Sequence, residues 1–290
     1  MKPATFEYFA PATRAEALAL LARHEDAKPL AGGQSLVPAM NFRLARPAVL
    51  VDLNRIGDLA GIEAGAALRI RAMTRQSALE RNDEVARMAP LVALAMPHVA
   101  HAPIRNRGTV GGNLAHADPA SELPAVMVAL EARFRLEREN GDRWVSASEF
   151  FLGLFATTLE PGELLVEIEV PRSRRRSGHA FMEVSRRHGD YALAGAAATV
   201  SLDASGACDV ARLVLFGVGE GPWVATRAGE ILVSQGPEAE RIAAAAEAVR
   251  AGVDPPSDIH ASSGYRRHLS GVLARRVLTQ AFARARQAVA

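Results

Sequence analysis

IRNRGTVGGNLAHADPASELPAVMVAL, residues Ile104–Leu130, is the stretch around which the chain is organised. It holds a short glycine-bearing loop, Thr109-Val110-Gly111-Gly112-Asn113, then Asp118-Pro119, then an apolar run from Leu123 to Leu130. Adjacent glycines leave backbone N–H groups open and tolerate the positive φ that other residues avoid. Thr109 adds a hydroxyl and Asn113 an amide, and neither is negative. Such a set of donors makes a concavity suited to phosphate. A second loop of the same character lies upstream, Ala31-Gly32-Gly33-Gln34-Ser35, flanked by Leu30 and Leu36. Two such loops could hold the two halves of a pyrophosphate. Neither matches a Walker motif, because no Lys-Ser or Lys-Thr follows the glycines, and neither has the three spaced glycines of a Rossmann turn. Either loop alone reads more readily as a tight turn than as a phosphate site.

The remainder of the chain narrows the class. Its 290 residues suffice for two domains, each with a core of its own. A net charge of +2, with no basic patch interleaved with aromatics, argues against nucleic acid. The one basic cluster, Arg172 to Arg176, reads as a solvated linker or a contact with an acidic partner. A single cysteine, Cys208, excludes an internal disulfide and a multi-cysteine iron–sulfur site, and reads as a buried free thiol. No apolar run is long enough to span a membrane, and the amino terminus lacks a signal core. The expectation is a cytoplasmic protein.

Patterning gives the order of elements. Phe6 to Tyr8 reads as a strand, and Thr13 with Glu16 as a capping box opening a helix. Lys28 to Ala31 is extended into the first loop and Val49 to Leu53 is a strand, giving β-α-β. Gly61 to Met73 reads as a hairpin turning at Ala64-Gly65, and Thr74 or Ser77 as the cap of the next helix. Glu122-Leu123-Pro124 starts a helix with proline in its first turn. Asn140-Gly141 reads as a two-residue hairpin turn, and Leu164 to Val170 as a strand. After a break at Pro171 to Gly178 come three antiparallel strands, then helices over 229–234, 239–251 and 263–290. Strands followed by helices make the class α+β.

Taken together, AGGQSLVPAMNFRLARP, IRNRGTVGGNLAHADP and the later RRHGDYALAG closely resemble the FAD-carrying medium subunit of the molybdenum hydroxylases. That family includes the carbon monoxide dehydrogenase medium chain and the flavin segment of xanthine dehydrogenase. The resemblance implies a two-part FAD-binding domain of the PCMH/vanillyl-alcohol-oxidase type over 1–174, with subdomains of about 1–56 and 57–174. A small antiparallel-sheet and helix-bundle domain would occupy 175–290. It further implies a large partner carrying a molybdenum–pterin cofactor, a small partner with two 2Fe-2S clusters, and a dimer of such heterotrimers. Electrons would reach the FAD here from those clusters and leave to an external acceptor.

The same resemblance assigns residues. Gly32, Gly33, Gln34 and Ser35 would receive one side of the pyrophosphate, and Thr109, Gly111, Gly112 and Asn113 the other, with Ala31 and Val110 beside them. Glu122, thirteen positions after Thr109, stands where relatives carry an acid on the ribose, and Asp118 is its local rival. Tyr191 would lie against the flavin ring. Leu164 aligns with an apolar ring contact, and His116 could bond the cofactor. Met182 falls where xanthine dehydrogenase relatives carry a lysine near the flavin. His98, His101 and His116 lack metal-ligand spacing and read as polar loop residues. No nucleophile, acid–base pair or metal set stands out, so catalytic residues are not expected here. The rival readings are a self-sufficient flavin reductase or oxidase of the same fold, and a nonredox subunit binding another phosphate ligand.

Overall fold

The computed structural model describes residues 2–288. Strand β1 (Glu7–Phe9), helix α1 (Arg14–Arg23), β2 (Ala27–Leu30), α2 (Leu36–Asn41) and β3 (Val49–Asp52) open the chain. They form a parallel sheet of order β1-β3-β2. The capping box is present: Glu16 N–H donates to the Thr13 hydroxyl at 3.2 Å, and the Thr13 N–H donates back to the Glu16 carboxylate at 3.2 Å. Such a cap is worth about 1 kcal/mol to a helix start.

A hairpin follows, β4 (Ile62–Ala64) and β5 (Ala67–Arg71), turning at Gly65-Ala66, one residue later than expected, because Ala64 already pairs with Leu68. Then come six short helices: α3 (Gln76–Glu80), α4 (Asp83–Met88), α5 (Pro90–Ala95), α6 (Ala102–Arg105), α7 (Val110–His116) and α8 (Glu122–Ala129). Next are β6 (Arg133–Arg138), β7 (Gly141–Ser146), α9 (Ala147–Phe150), the small pair β8 (Phe151–Gly153) and β9 (Ala156–Thr157), and β10 (Leu164–Pro171). Strands β4-β5-β10-β6-β7 make an antiparallel sheet. Two further local expectations need correction. Arg75 takes the cap position of α3, because the Thr74 hydroxyl is spent on the Gly61 backbone, donating to its carbonyl at 2.9 Å. The β6–β7 turn is Glu139-Asn140, since Gly141 already pairs with Arg138.

The carboxy-terminal part holds β11 (Ser177–Ser185), β12 (Ala192–Leu202), β13 (Cys208–Phe216) and β14 (Trp223–Val224) in one antiparallel sheet, one short strand more than the sequence reading gives. Helices α10 (Thr226–Leu232), α11 (Ala239–Gly252) and α12 (Ser263–Gln287) cover one face, with α10 starting three residues before its expected position. The class is α+β, as expected.

Three cores result. The first packs α1 on the parallel sheet. The second gathers α4, α5 and α8 on the five-stranded sheet, and reaches Phe181, Ala197, Val214 and Phe216 on the inner face of the last sheet. The third lies between the outer face of that sheet and α11 and α12. Every residue of α8 is buried, so this helix is wedged between layers and apolar on all sides. Its first residue, Glu122, is buried with it.

Candidate functional site

The first glycine bend leaves the end of β2. Gly33 holds φ +71°, the left-handed conformation expected there. Gly32 has ordinary φ but no room: a Cβ would stand 2.5 Å from the Arg107 carbonyl oxygen. The bend therefore lies against the segment that leads into the second loop. Among the described residues, the N–H groups of Gly32, Gly33, Gln34 and Ser35 find no partner within the chain. Four consecutive open amides, with no nearby carboxylate bonded to them, fit a pyrophosphate. Leu30, Ala31 and Leu36 flank the bend half-buried.

The second loop is not a loop. Thr109 caps α7, its Oγ1 accepting the Gly112 N–H at 3.1 Å, and residues 110–116 are helical. The expectation that its amides face an anion fails, because they are already used. Val110 N–H donates to the Thr74 carbonyl at 3.0 Å, Gly111 to Ala72 at 2.8 Å and Asn113 to Thr109 at 3.1 Å. Its glycines serve close approach instead of positive φ. A Cβ on Gly111 would lie 2.5 Å from the Ala72 Cβ, and one on Gly112 would lie 2.7 Å from Thr109 Oγ1 and 3.2 Å from the Ala31 Cβ. What this element can offer a ligand is side-chain chemistry. The Thr109 hydroxyl still has its proton to donate. Asn113 Oδ1 takes the Ser121 hydroxyl at 2.9 Å, which leaves the Asn113 amide hydrogens uncommitted among the described contacts.

Two residues that sequence reasoning did not single out clamp these bends together. Asn54 donates to the Ala31 carbonyl at 2.9 Å, and Arg75 donates to Asn54 Oδ1 at 2.6 Å and to the Arg107 carbonyl. Arg105 fixes the approach to α7. Buried, it forks onto Glu80 at 2.8 and 2.9 Å and donates to the carbonyls of Val99 and Ala100, the latter in left-handed backbone.

Past α7, the site turns acidic and buried. Asp118 closes its own turn, Oδ1 accepting the Ala120 N–H at 2.9 Å, so the turn role is the one its contacts support. Glu122 is 6% exposed, and burial, with the Glu183 charge second, pushes its carboxyl up to about 8. Glu183, on β11, was not anticipated; Oε1 lies 3.6 Å from His98 Nδ1. The available signal was strand alternation, which puts Glu183 on the face of Phe181 and away from Met182. Met182 itself packs with the carboxy-terminal core.

His116 is half-buried with its ring 5.0 Å from that of Phe155, and burial lowers its pKa. Leu164 lies in the core beside the parallel sheet, the bland role for a strand leucine. Tyr191 is 67% exposed and open to contact. Its loop is tied down by Arg186, 3.1 Å from His260 Nδ1, and by Gly189 fitted against His101. Cys208 is buried and unpaired, its thiol pushed up to about 11 by burial. Among the described residues there is no cluster of three metal-ligating side chains, and no helix long and apolar enough to cross a membrane.

Comparison with known proteins agrees with this architecture. Residues 4–173 match the family described as FAD binding domain in molybdopterin dehydrogenase, and 179–281 match the CO dehydrogenase flavoprotein C-terminal domain. The chain is 43% identical to the 6-hydroxypseudooxynicotine dehydrogenase complex subunit alpha of Paenarthrobacter nicotinovorans, over 99% of this chain and 97% of that protein. It is 41% identical to the carbon monoxide dehydrogenase medium chain of Afipia carboxidovorans, over 99% of this chain and 100% of that one. Among solved structures, a carbon monoxide dehydrogenase from Hydrogenophaga pseudoflava superposes with a TM-score of 0.95 at 40% identity, covering 98% of this chain and 99% of that chain. Quinoline 2-oxidoreductase from Pseudomonas putida 86 gives 0.93 at 39%, covering 100% of both. The fold, the two glycine bends in contact and the full-length likeness lead to one conclusion: this chain belongs to the FAD-binding flavoprotein subunits of the molybdopterin dehydrogenases, a family of oxidoreductases.

Proposed function

We propose that this chain is the FAD-carrying electron-transfer subunit of a heteromeric molybdenum hydroxylase. The amides of Gly32, Gly33, Gln34 and Ser35 receive the pyrophosphate, and the observation that carries the reading is that all four lack a partner among the described residues. Thr109 and Asn113 donate from the facing helix, Glu122 meets the sugar hydroxyls, and Tyr191 covers the ring. Leu30 and Leu36 flank the pyrophosphate. The FAD-binding domain spans 1–174 and the carboxy-terminal domain 175–290.

Bound FAD supplies the junction between one-electron delivery and two-electron handover, while the protein supplies position and electrostatics. Electrons arrive from the 2Fe-2S clusters of a small partner and leave to an external acceptor. A large partner with molybdenum–pterin performs the substrate chemistry, and the assembly is a dimer of heterotrimers in the cytoplasm. Relatives of similar identity are named for substrates as unlike as carbon monoxide, caffeine and 6-hydroxypseudooxynicotine. That supports placing substrate selection outside this chain.

The test is to purify the chain alone and with the neighbouring large and small subunits. The expected result is one flavin per chain by absorbance, a co-purifying complex, and flavin reduction by substrate only when all three subunits are present. A folded chain that takes up no FAD, or a solitary chain that turns over, overturns the reading.

A further inference from the structure

The β8–β9 hairpin breaks the usual chemistry of a turn. Among the described residues its two strands pair with no other, and the two residues of its tip are Leu154 and Phe155. Phe155 holds φ +53°, a conformation that glycine or asparagine adopts readily and a bulky side chain avoids. Leu152, Leu154 and Phe155 are 66%, 57% and 53% exposed. The base, by contrast, is fixed. The Phe151 ring meets those of Phe150 and Phe134 edge-on at 5.1 and 6.1 Å, and both of these are fully buried. A strained, bare apolar tip on a rigid base has no compensating contact within the chain, the pattern expected where a ligand provides one.

The position of the tip says which ligand. The Phe155 ring rests on His116 at 5.0 Å, tilted by 38°. His116 stands four residues after Gly112, so the two share one face of α7, about 6 Å apart along the helix. That is the face Gly112 turns to the first bend, where a Cβ would lie 3.2 Å from the Ala31 Cβ. On its other side the hairpin reaches the carboxy-terminal part: a Cβ on Gly153 would lie 3.4 Å from Glu220 Oε2. Three residues before Glu220, a Cβ on Gly217 would lie 2.9 Å from the carbonyl oxygen of Ala192, the neighbour of Tyr191. The Gly217 N–H donates to the Pro119 carbonyl at 2.8 Å. Phe155 and Tyr191 therefore both stand beside the turn over 116–119, one helical turn past the pyrophosphate bend.

We propose that Phe155 is a second wall of the flavin site, its ring packing with Tyr191 on the isoalloxazine while the β8–β9 tip shields that ring system from water. The proposal rests on the reading of this chain as an FAD carrier. A flat, largely apolar ring system covers what the tip leaves bare, and stacking of aromatic rings offsets the cost of the left-handed backbone at Phe155. The Phe155 side chain has no proton to exchange, so it acts by contact alone. His116, beneath it, sets the height of the wall and is a positioning residue.

The test compares Phe155→Gly with wild type in two measurements on the purified chain: the FAD dissociation constant, and the unfolding midpoint without FAD. Glycine accepts the left-handed conformation, so the midpoint should be no lower than that of wild type. The dissociation constant should nevertheless rise about tenfold, the upper end of what one aromatic contact supplies. The visible band of the bound flavin, recorded at saturating FAD, should shift as its ring meets water. Phe155→Tyr keeps a ring in place and should restore both affinity and spectrum. Midpoint and affinity falling together in Phe155→Gly would make Phe155 a structural residue and overturn the proposal. If Gly32→Ala weakens FAD binding but Phe155→Gly leaves affinity and spectrum as in wild type, the wall is overturned while the site stands. If Gly32→Ala leaves affinity unchanged, the site itself is misplaced and the proposal falls with it.

Discussion

Gly32 and Gly108 meet backbone to backbone: a Cβ on Gly32 would stand 2.7 Å from the Gly108 Cα, and 2.5 Å from the carbonyl oxygen of Arg107. Neither obstacle is a side chain that could swing aside. Gly32→Ala should therefore force the two bends apart, at a cost of about 1–3 kcal/mol typical of overpacking. Because the displaced atoms carry the proposed phosphate donors, FAD affinity should drop about tenfold or more, the equivalent of about 1.4 kcal/mol. Urea unfolding and flavin titration check both values. Wild-type stability with full flavin content would show that the contact is dispensable.

Arg105 holds the approach to α7 through four hydrogen bonds spread over Glu80, Val99 and Ala100 only if its fork is planar and charged. Arg105→Met should lose about 2–3 kcal/mol, since charge-assisted bonds are broken and the Ala100 carbonyl loses its donor. Arg105→Lys should recover only part, because an ammonium cannot bridge both Glu80 oxygens with the same geometry. Chemical denaturation of the two variants separates the cases. Equal stability of all three proteins would remove Arg105 from this role.

His179 of β11 is 5% exposed, contacts Thr199 Oγ1 at 3.1 Å, and is pushed down to about 4 by burial, with Arg284 adding to it. In the unfolded chain its pKa returns to 6.5. Between those values the unfolded state binds the extra proton, so stability must fall as pH drops through that window. The loss approaches about 3 kcal/mol once pH is below the folded value. His179→Gln should remove this part of the acid sensitivity, read as the difference between wild-type and variant unfolding free energies at several pH values. An unchanged slope would mean that other groups account for acid unfolding.

Tyr191 is so exposed that its deletion should leave folding untouched, within about 0.5 kcal/mol. Tyr191→Ala should instead change the reduction potential or reoxidation rate of bound flavin, while FAD content stays within about twofold of wild type. Potentiometric titration and stopped-flow reoxidation provide the readouts. An identical potential and rate would put the ring away from the flavin.

Much of this molecule was legible in its sequence because it is local. The Thr13–Glu16 box, the β4–β5 hairpin (to within one residue of its turn) and the proline-led start of α8 each depend on residues within a few positions of one another. The two glycine bends were legible as a pair, but not the division of labour between them. Gly-Gly in 32–33 yields open amides, whereas Gly-Gly in 111–112 yields a helix pressed onto Ala72, and nothing within either dipeptide separates these outcomes. The Asn54–Arg75–Arg107 clamp was invisible for a different reason: its members lie 21 and 32 residues apart and carry no motif. Glu183 was hidden by the same remoteness from His98 and Glu122. Strand alternation could reveal that it points inward with Phe181, but not that an acid already waits there.

Strand β11 sends Phe181 into the core of the amino-terminal part and Ala180 into the core under α12, and the Gly217 N–H donates to the Pro119 carbonyl at 2.8 Å across the same boundary. A wall common to two rooms cannot be taken down from one side only. Trimming the chain after residue 174 would strip α8 of its ceiling, and the remnant should clump or be degraded instead of surviving as a soluble fragment. Heating should accordingly melt both halves in a single calorimetric peak, and a protease should find no long-lived intermediate to leave behind.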